Sequence, residues 1–110
     1  MTTTVKNIIP AKNAESVQTT QYTAVNCKTT IDKFTAGNTS AANLVFSVNL
    51  PKLGDSASAS NRIIILRGIA PGETYTCPEL IGQVIESGGF ISTLASATGL
   101  TISAAGREIV

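Results

Sequence analysis

Two cysteines and seven carboxylates are the side chains of this chain whose types suit catalysis or metal binding. Cys27 and Cys77 lie fifty residues apart, and the chain has no histidine to complete a zinc site or to activate a serine. Nearly all of the carboxylates stand beside glycine, proline or serine, which indicates solvated turns rather than an acid–base pair. The sequence therefore predicts a protein that is not an enzyme and has no catalytic residue, metal site or cofactor.

The two cysteines are expected to be free thiols in small, buried positions. The first residues lack the basic and apolar regions of a signal peptide, and the longest apolar run, residues 63–66, is too short to cross a bilayer. These features predict synthesis in the cytosol, where thiols stay reduced. The alternative is a disulfide between Cys27 and Cys77.

Composition indicates one soluble domain with little surface charge. The chain has 110 residues, of which 14% are charged, against about 25% in a typical domain. The net charge of +1 argues against nucleic acid or a membrane as partner. Thr, Ser and Asn make up 32 residues, and a surface of uncharged polar groups suits a close-packed assembly. The alternative is a monomer that its hydroxyl groups keep soluble.

Alternating hydrophobicity predicts the strands. Apolar or small residues recur at every second position in three stretches, which is the period of a half-buried strand. The phase slips near Asp32 and Lys33, which predicts a β-bulge. The three alternating sets are Val25, Cys27, Thr29 and Ile31; Leu44, Phe46, Val48 and Leu50; and Leu100, Ile102 and Ala104.

Other segments are predicted from shorter signals. Residues 62–67 (RIIILR) form a continuous apolar run, typical of a central strand or of one whose outer face meets another subunit. Residues 79–86 suit a single helical turn that leads into a strand. Residues 87–89 (SGG) are expected to form a hairpin turn, and Gly106 is expected to break the last strand.

Together these signals predict an all-β fold, an antiparallel β-sandwich or jelly-roll-like barrel of about seven or eight short strands with little helix. Residues 21–110 are expected to form this single domain. Residues 1–20 are expected to be an N-terminal arm or edge strand, because Pro10 cannot donate to a strand ladder. The apolar residues in this polar segment are the predicted assembly contacts: Ile8, Ile9 and Pro10.

Several stretches resemble small β-rich virion proteins of tailed bacteriophages. They are residues 69–84 (IAPGETYTCPELIGQV), 88–92 (GGFIS), 95–97 (ASA) and 100–109 (LTISAAGREI), with residues 38–48 (NTSAANLVFSV) fitting the same pattern. They cover about half of the chain and consist of turn and strand motifs, not site motifs. The resemblance implies a virion component, assembled in the cytoplasm of the host bacterium, without catalytic residues.

The expected function is therefore that of a structural protein which decorates or cements the phage head. Its expected partners are the major capsid protein, or other virion proteins, and copies of itself as a homo-oligomer. One alternative is a small head–tail connector, tail or fibre-adaptor subunit. An alternative of another class is a β-sandwich that binds carbohydrate or a receptor, for which Tyr22 and Tyr75 are the candidate aromatic contacts.

Overall fold

The computed structural model describes residues 2–110. Within these residues the chain forms nine β-strands and one short 3-10 helix, Ala59–Asn61. The strands are β1 Thr3–Asn13, β2 Thr19–Thr23, β3 Lys28–Asn38, β4 Leu44–Asn49, β5 Arg62–Ile69, β6 Thr74–Tyr75, β7 Val84–Ile85, β8 Phe90–Ala95 and β9 Leu100–Ile109.

The strands make two antiparallel sheets. The first has the order β1-β9-β3-β6, and β7 also pairs with β3, so that β6 and β7 share one edge. The second has the order β2-β8-β4-β5. The rings of Phe34 on β3 and Phe46 on β4 lie with their centroids 6.3 Å apart, so the two sheets pack face to face around the core. The prediction of an all-β sandwich is confirmed, with nine strands where seven or eight were expected.

The alternation in the sequence locates β3 and its bulge. Thr29, Ile31 and Phe34 are fully buried, and the register with β9 shifts between Ile31 and Lys33, where the phase slip predicted a bulge. The prediction that Val25 is an inward-facing residue of this strand is wrong, because Val25 is 69% exposed and precedes the strand. Asn26 has a φ of +54°, a turn conformation that asparagine tolerates, and this bend separates Val25 from β3.

The apolar run at residues 62–67 is also a correction. It lies in β5, which is the outer strand of its sheet and pairs only with β4 among the described residues. Ile64 is buried, whereas Ile65 and Leu66 are 65% and 64% exposed. The continuous apolar sequence therefore belongs to an edge strand with an exposed outer surface, so the prediction of a central strand is wrong. Contact of this surface with another subunit stays a prediction.

Three further expectations change in the structure. Residues 78–83 form hydrogen-bonded turns rather than a helical turn, and the strand after them, β7, has two residues. Residues 87–89 do not close a hairpin, because β7 and β8 belong to different sheets. Gly106 does not end the last strand, since β9 continues to Ile109.

The N-terminal segment forms a strand of this chain's own sheet. β1 pairs along its length with β9, and the register shifts between Lys6 and Ile9 and again between Ile9 and Lys12. At these bulges β1 uses three residues where β9 uses two, so the inward side of the strand is not fixed by simple alternation. The adjacent side chains of Ile8 and Ile9 are accordingly both buried, 4% and 1% exposed.

Candidate protein-binding surface

The predicted assembly contacts lie mostly inside the subunit. Ile8 and Ile9 belong to the hydrophobic core, while Pro10 is exposed on the outer strand β1. A side chain that packs in its own core cannot contact a neighbour at the same time. An intersubunit role for Ile8 and Ile9 thus stays a prediction that requires β1 to leave its sheet.

The cysteines are both free and buried. Cys77 is fully buried with a φ of +49°, and burial, followed by the charge of Glu79, raises the pKa of its thiol to about 12. Cys27 is 6% exposed, and its sulfur lies 3.7 Å from the Thr29 hydroxyl. Both sulfurs are buried, and at Cys77 the raised pKa also disfavours the thiolate, which is the reactive form.

We expect alkylation to distinguish the folded from the unfolded chain. With iodoacetamide at pH 8 and no reductant, the denatured protein should gain two adducts, at Cys27 and Cys77. The native protein should react much more slowly, since both sulfurs are buried and the Cys77 thiol stays protonated. Intact-mass measurement over time tests this, and a denatured chain that gains no adduct would reveal a disulfide.

Tyr22 is held in a polar network at one end of the sandwich. Its hydroxyl donates a hydrogen bond to the Glu108 carboxylate. The Thr29 hydroxyl lies 2.7 Å away and can donate a hydrogen bond to the Tyr22 oxygen. Lys6 approaches the same carboxylate at 3.3 Å. The bond from Tyr22 lowers the pKa of Glu108, and burial together with that carboxylate raises the pKa of Tyr22. The network ties β1, β2, β3 and β9 together and leaves Tyr22 9% exposed.

Tyr75 is engaged in a second cluster toward the opposite end. The Arg67 guanidinium carbon lies 4.1 Å from the centre of the Tyr75 ring, a cation–π contact that joins β5 to β6. The Tyr75 hydroxyl donates to Glu79 at 2.5 Å, which lowers the pKa of Glu79. Burial and this carboxylate raise the pKa of Tyr75 to about 12. The Arg67 guanidinium thus covers one face of the Tyr75 ring, whereas Tyr22 is almost entirely buried. A carbohydrate-binding role for the two tyrosines stays a prediction.

The exposed part of β5 is strained. Two residues of β5, Ile65 and Leu66, lie opposite the single residue Ser47 of β4, which defines a bulge. Leu66 has a φ of +48°, in the left-handed region that leucine rarely adopts. The Ser47 hydroxyl accepts a hydrogen bond from the Leu66 N–H at 3.0 Å and so holds this conformation.

A groove runs beside Leu66 on the outer surface of the four-stranded sheet. We call it the β5 groove; its volume is about 290 Å³. Its apolar side chains are Val45, Leu66 and Leu94, its hydroxyl groups come from Ser16, Ser47 and Ser96, and none of its lining residues is charged. An uncharged, mainly apolar groove is suited to an apolar side chain from another protein. No motif in the sequence indicates this groove, because it depends on the bulge and on the order of the strands.

Within residues 2–110 no group of three potential metal-binding side chains comes together, and none of these residues belongs to a helix that could cross a membrane. Comparison of the chain with family models, with curated proteins and with solved structures gave no match.

Proposed function

We propose that this chain is a non-enzymatic structural subunit of a tailed-phage particle that binds the major capsid protein through the β5 groove. The observation that carries the proposal is Leu66, an apolar side chain that is 64% exposed and held at a φ of +48°. The phage setting rests on the sequence resemblance, and the mode of binding rests on the geometry of β5.

The backbone conformation and the exposure of Leu66 both destabilise the isolated subunit. The left-handed conformation costs a non-glycine residue about 1–2 kcal/mol. The exposed leucine also gains little from burial in the monomer, and contact with another protein would remove it from water. Backbone strain of this kind is found preferentially at functional positions. We infer that the position serves a contact outside the subunit.

The edges of the sheets indicate that side chains, rather than an extended ladder, make this contact. β5 contains a bulge at Ile65 and Leu66, and β1 at the edge of the other sheet contains two bulges and Pro10. Bulges and proline prevent a strand of another molecule from pairing regularly with an edge. The partner is therefore expected to insert an apolar side chain between Leu66 and Leu94 rather than to add a strand.

Replacement of Leu66 by asparagine separates binding from stability. Asparagine tolerates the left-handed region, so L66N should raise the free energy of unfolding by about 1 kcal/mol. The same change removes the apolar wall of the β5 groove, and incorporation into particles should fall at least about tenfold, the loss expected for a central interface side chain. Thermal unfolding and quantitative mass spectrometry of purified particles measure the two effects.

The control is Val25→Asn, which replaces another exposed apolar residue, 69% exposed and outside the strands. It should leave both stability and incorporation nearly unchanged. Normal incorporation of L66N would refute the role of the groove, and absence of the wild-type chain from purified particles would refute the virion role itself. Copy number in the same particles distinguishes the head from a connector or tail position.

A further inference from the structure

Gly68 lies inside β5 although the subunit itself does not require glycine there. Of the nine glycines in residues 2–110, five have a positive φ, and at three others a Cβ atom would lie 3.4 Å or less from another residue. Gly68 has neither property, because its φ is not positive and a Cβ atom there would meet no atom within 4 Å. A glycine weakens the interior of a strand, and it often marks a place where another backbone approaches closely.

The open position at Gly68 belongs to the outer surface of the four-stranded sheet, beside the β5 groove. Gly68 pairs with Val45 of β4, whose neighbours Leu44 and Phe46 are buried in the core. Because side chains alternate along a strand, Val45 and the free space at Gly68 share the outer face. Val45 also lines the β5 groove, so the surface at Gly68 adjoins that groove.

A second groove continues from Val45 toward the end of the molecule. We call it the Glu73 groove; its volume is about 410 Å³, and it is lined by the start of β4, the end of β5 and the turn after β5. Val45 lines both grooves, and Gly68 lines the second. Glu73 is the only charged residue among those that line either groove. The two grooves therefore form one path that is apolar at Leu66 and negative at Glu73.

The Glu73 carboxylate is fixed in place and has no cation beside it. Its Oε1 atom accepts a hydrogen bond from the Ala70 N–H at 2.8 Å, which holds it at the end of β5. Within residues 2–110 Glu73 forms no ion pair, and residues 68–106 contain neither lysine nor arginine. Arg67, the nearest cation along the chain, lies over the Tyr75 ring. The exposed carboxylate is thus available to a cation from another molecule.

We propose that an extended segment of the major capsid protein lies along the β5 groove and the Glu73 groove, with an apolar side chain beside Leu66 and a lysine or arginine at Glu73. This assignment rests on the proposed function and specifies the chemistry of the segment that is bound. The backbone of the segment passes over Gly68, where no side chain holds it away from the sheet. The segment lies on the face of the sheet and does not extend it as a further strand.

Charge complementarity favours a basic segment over the other kinds of occupant. An acidic segment would bring like charges together at Glu73, which opposes association. A wholly apolar segment would cover the carboxylate without giving it a partner, and burial of an unpaired charge is costly. A basic side chain supplies that partner and leaves the apolar contact at Leu66 unchanged.

The distance between the two contacts limits the spacing in the partner. Leu66 and Ala70, whose N–H binds the Glu73 carboxylate, are four residues apart in the chain. A strand rises about 3.3 Å per residue, so the contacts are at most about 13 Å apart. Lysine and arginine have long stems that cover part of this span. The basic residue is therefore expected about two to four residues from the apolar one in the capsid protein.

A side chain at Gly68 tests the path of the segment. The probe is purified particles assembled without this chain, and co-sedimentation of the added protein gives an apparent dissociation constant. Gly68→Val fills open space on the outer face with a residue that suits a strand, so stability should not fall, while the dissociation constant should rise at least about tenfold. Gly68→Ala should give a smaller rise. Thr3→Val, at an exposed position of β1 in the other sheet, is the control and should bind like the wild type.

Removal of the charge at Glu73 tests the basic side chain. Glu73→Gln keeps an oxygen that can accept the hydrogen bond from Ala70, and it should weaken particle binding about two- to fivefold at low salt. The difference should disappear near about 1 M salt, where the screening length falls to about 3 Å. Asp55→Asn removes a negative charge from the loop at the other end of β4 and β5 and should have little effect at either salt concentration.

The possible results separate the bound segment from the proposed function. If L66N binds poorly while Gly68→Val and Glu73→Gln bind like the wild type, the β5 groove still binds the capsid and the extended basic segment is refuted. If the wild-type chain does not bind the particles, both proposals fail. A dimer of the free chain that Gly68→Val dissociates would identify a second copy as the occupant and would also overturn the capsid segment. Loss of stability in Gly68→Val would show that the subunit itself needs this glycine, which contradicts an open position.

Discussion

A chain that lacks residues 2–10 should fail to fold on its own. The deletion removes Ile8 and Ile9 from the core, where they are 4% and 1% exposed, and leaves β9 without its β1 partner along most of its length. Loss of one buried isoleucine costs about 2–5 kcal/mol. Loss of two removes about 4–10 kcal/mol, which is comparable with the entire stability of a small domain, about 5–15 kcal/mol. Far-UV circular dichroism and a proton–nitrogen NMR spectrum measure the outcome.

A synthetic peptide of residues 2–10 supplies the missing part of β1. Because the truncated chain retains β9 and residues 11–13, which pair with it, the added peptide should restore the folded spectrum. Ile9→Ala in the full chain should cost about 2–5 kcal/mol, while Asn7→Ala at an exposed neighbouring position should stay within about 0.5 kcal/mol. A truncated chain that folds without the peptide would instead show that residues 2–10 act as an arm, and would support Ile8 and Ile9 as contacts with a neighbour.

The sequence could not decide between arm and strand because β1 does not alternate. A regular strand shows one apolar residue at every second position, but the bulges on both sides of Ile9 allow two adjacent isoleucines to point inward. Pro10 cannot donate to a strand ladder, so the prediction of an edge strand was correct. The proline does not indicate whether that edge belongs to the chain's own sheet or to a neighbour's. Local patterns reveal the period of a strand and leave its partner undetermined.

Strand prediction depends on the alternation of apolar and polar residues, which regular strands keep and bulges interrupt. β3 buries about every second side chain, and in β4 the large apolar residues alternate with smaller or polar ones. The bulge of β3 left a visible phase slip at Asp32 and Lys33. β5 carries apolar residues on both sides, which resembles a central strand in sequence although the sheet order places it outside. The edge position follows from long-range pairing with β4 alone, which no local pattern encodes.

The candidate surface was only partly accessible to prediction. The absence of histidine and the scattered carboxylates favour binding over catalysis, and the apolar run at residues 62–67 predicts a possible contact strand. No sequence pattern predicts the left-handed conformation of Leu66, because leucine rarely adopts that region. The bulge that imposes it forms only when β5 pairs beside Ser47 of β4.

Gly106→Ala should destabilise the fold although it adds a single methyl group. Gly106 lies inside β9, the strand between β1 and β3, opposite Lys6 on one side and Ile31 on the other. A Cβ atom at this position would lie 2.3 Å from the Thr30 carbonyl oxygen and 3.4 Å from Cδ1 of Ile8. The first contact is with backbone, which cannot rotate away as a side chain can. Separation of β9 from β3 at this point should cost about 3 kcal/mol, at the upper end of the usual cost of overpacking.

Gly68→Ala is the matched control, because Gly68 also lies inside a strand. It is exposed on β5, and a Cβ atom there would meet no other atom within 4 Å. Alanine restricts the unfolded chain more than glycine does, so this variant should be neutral or more stable by up to about 1 kcal/mol. Urea unfolding of both variants measures the difference. Equal stabilities would mean that β9 does not approach β3 as closely as the fold requires, whereas a selective loss at Gly106 would show that this glycine permits the central strand to continue past it to Ile109.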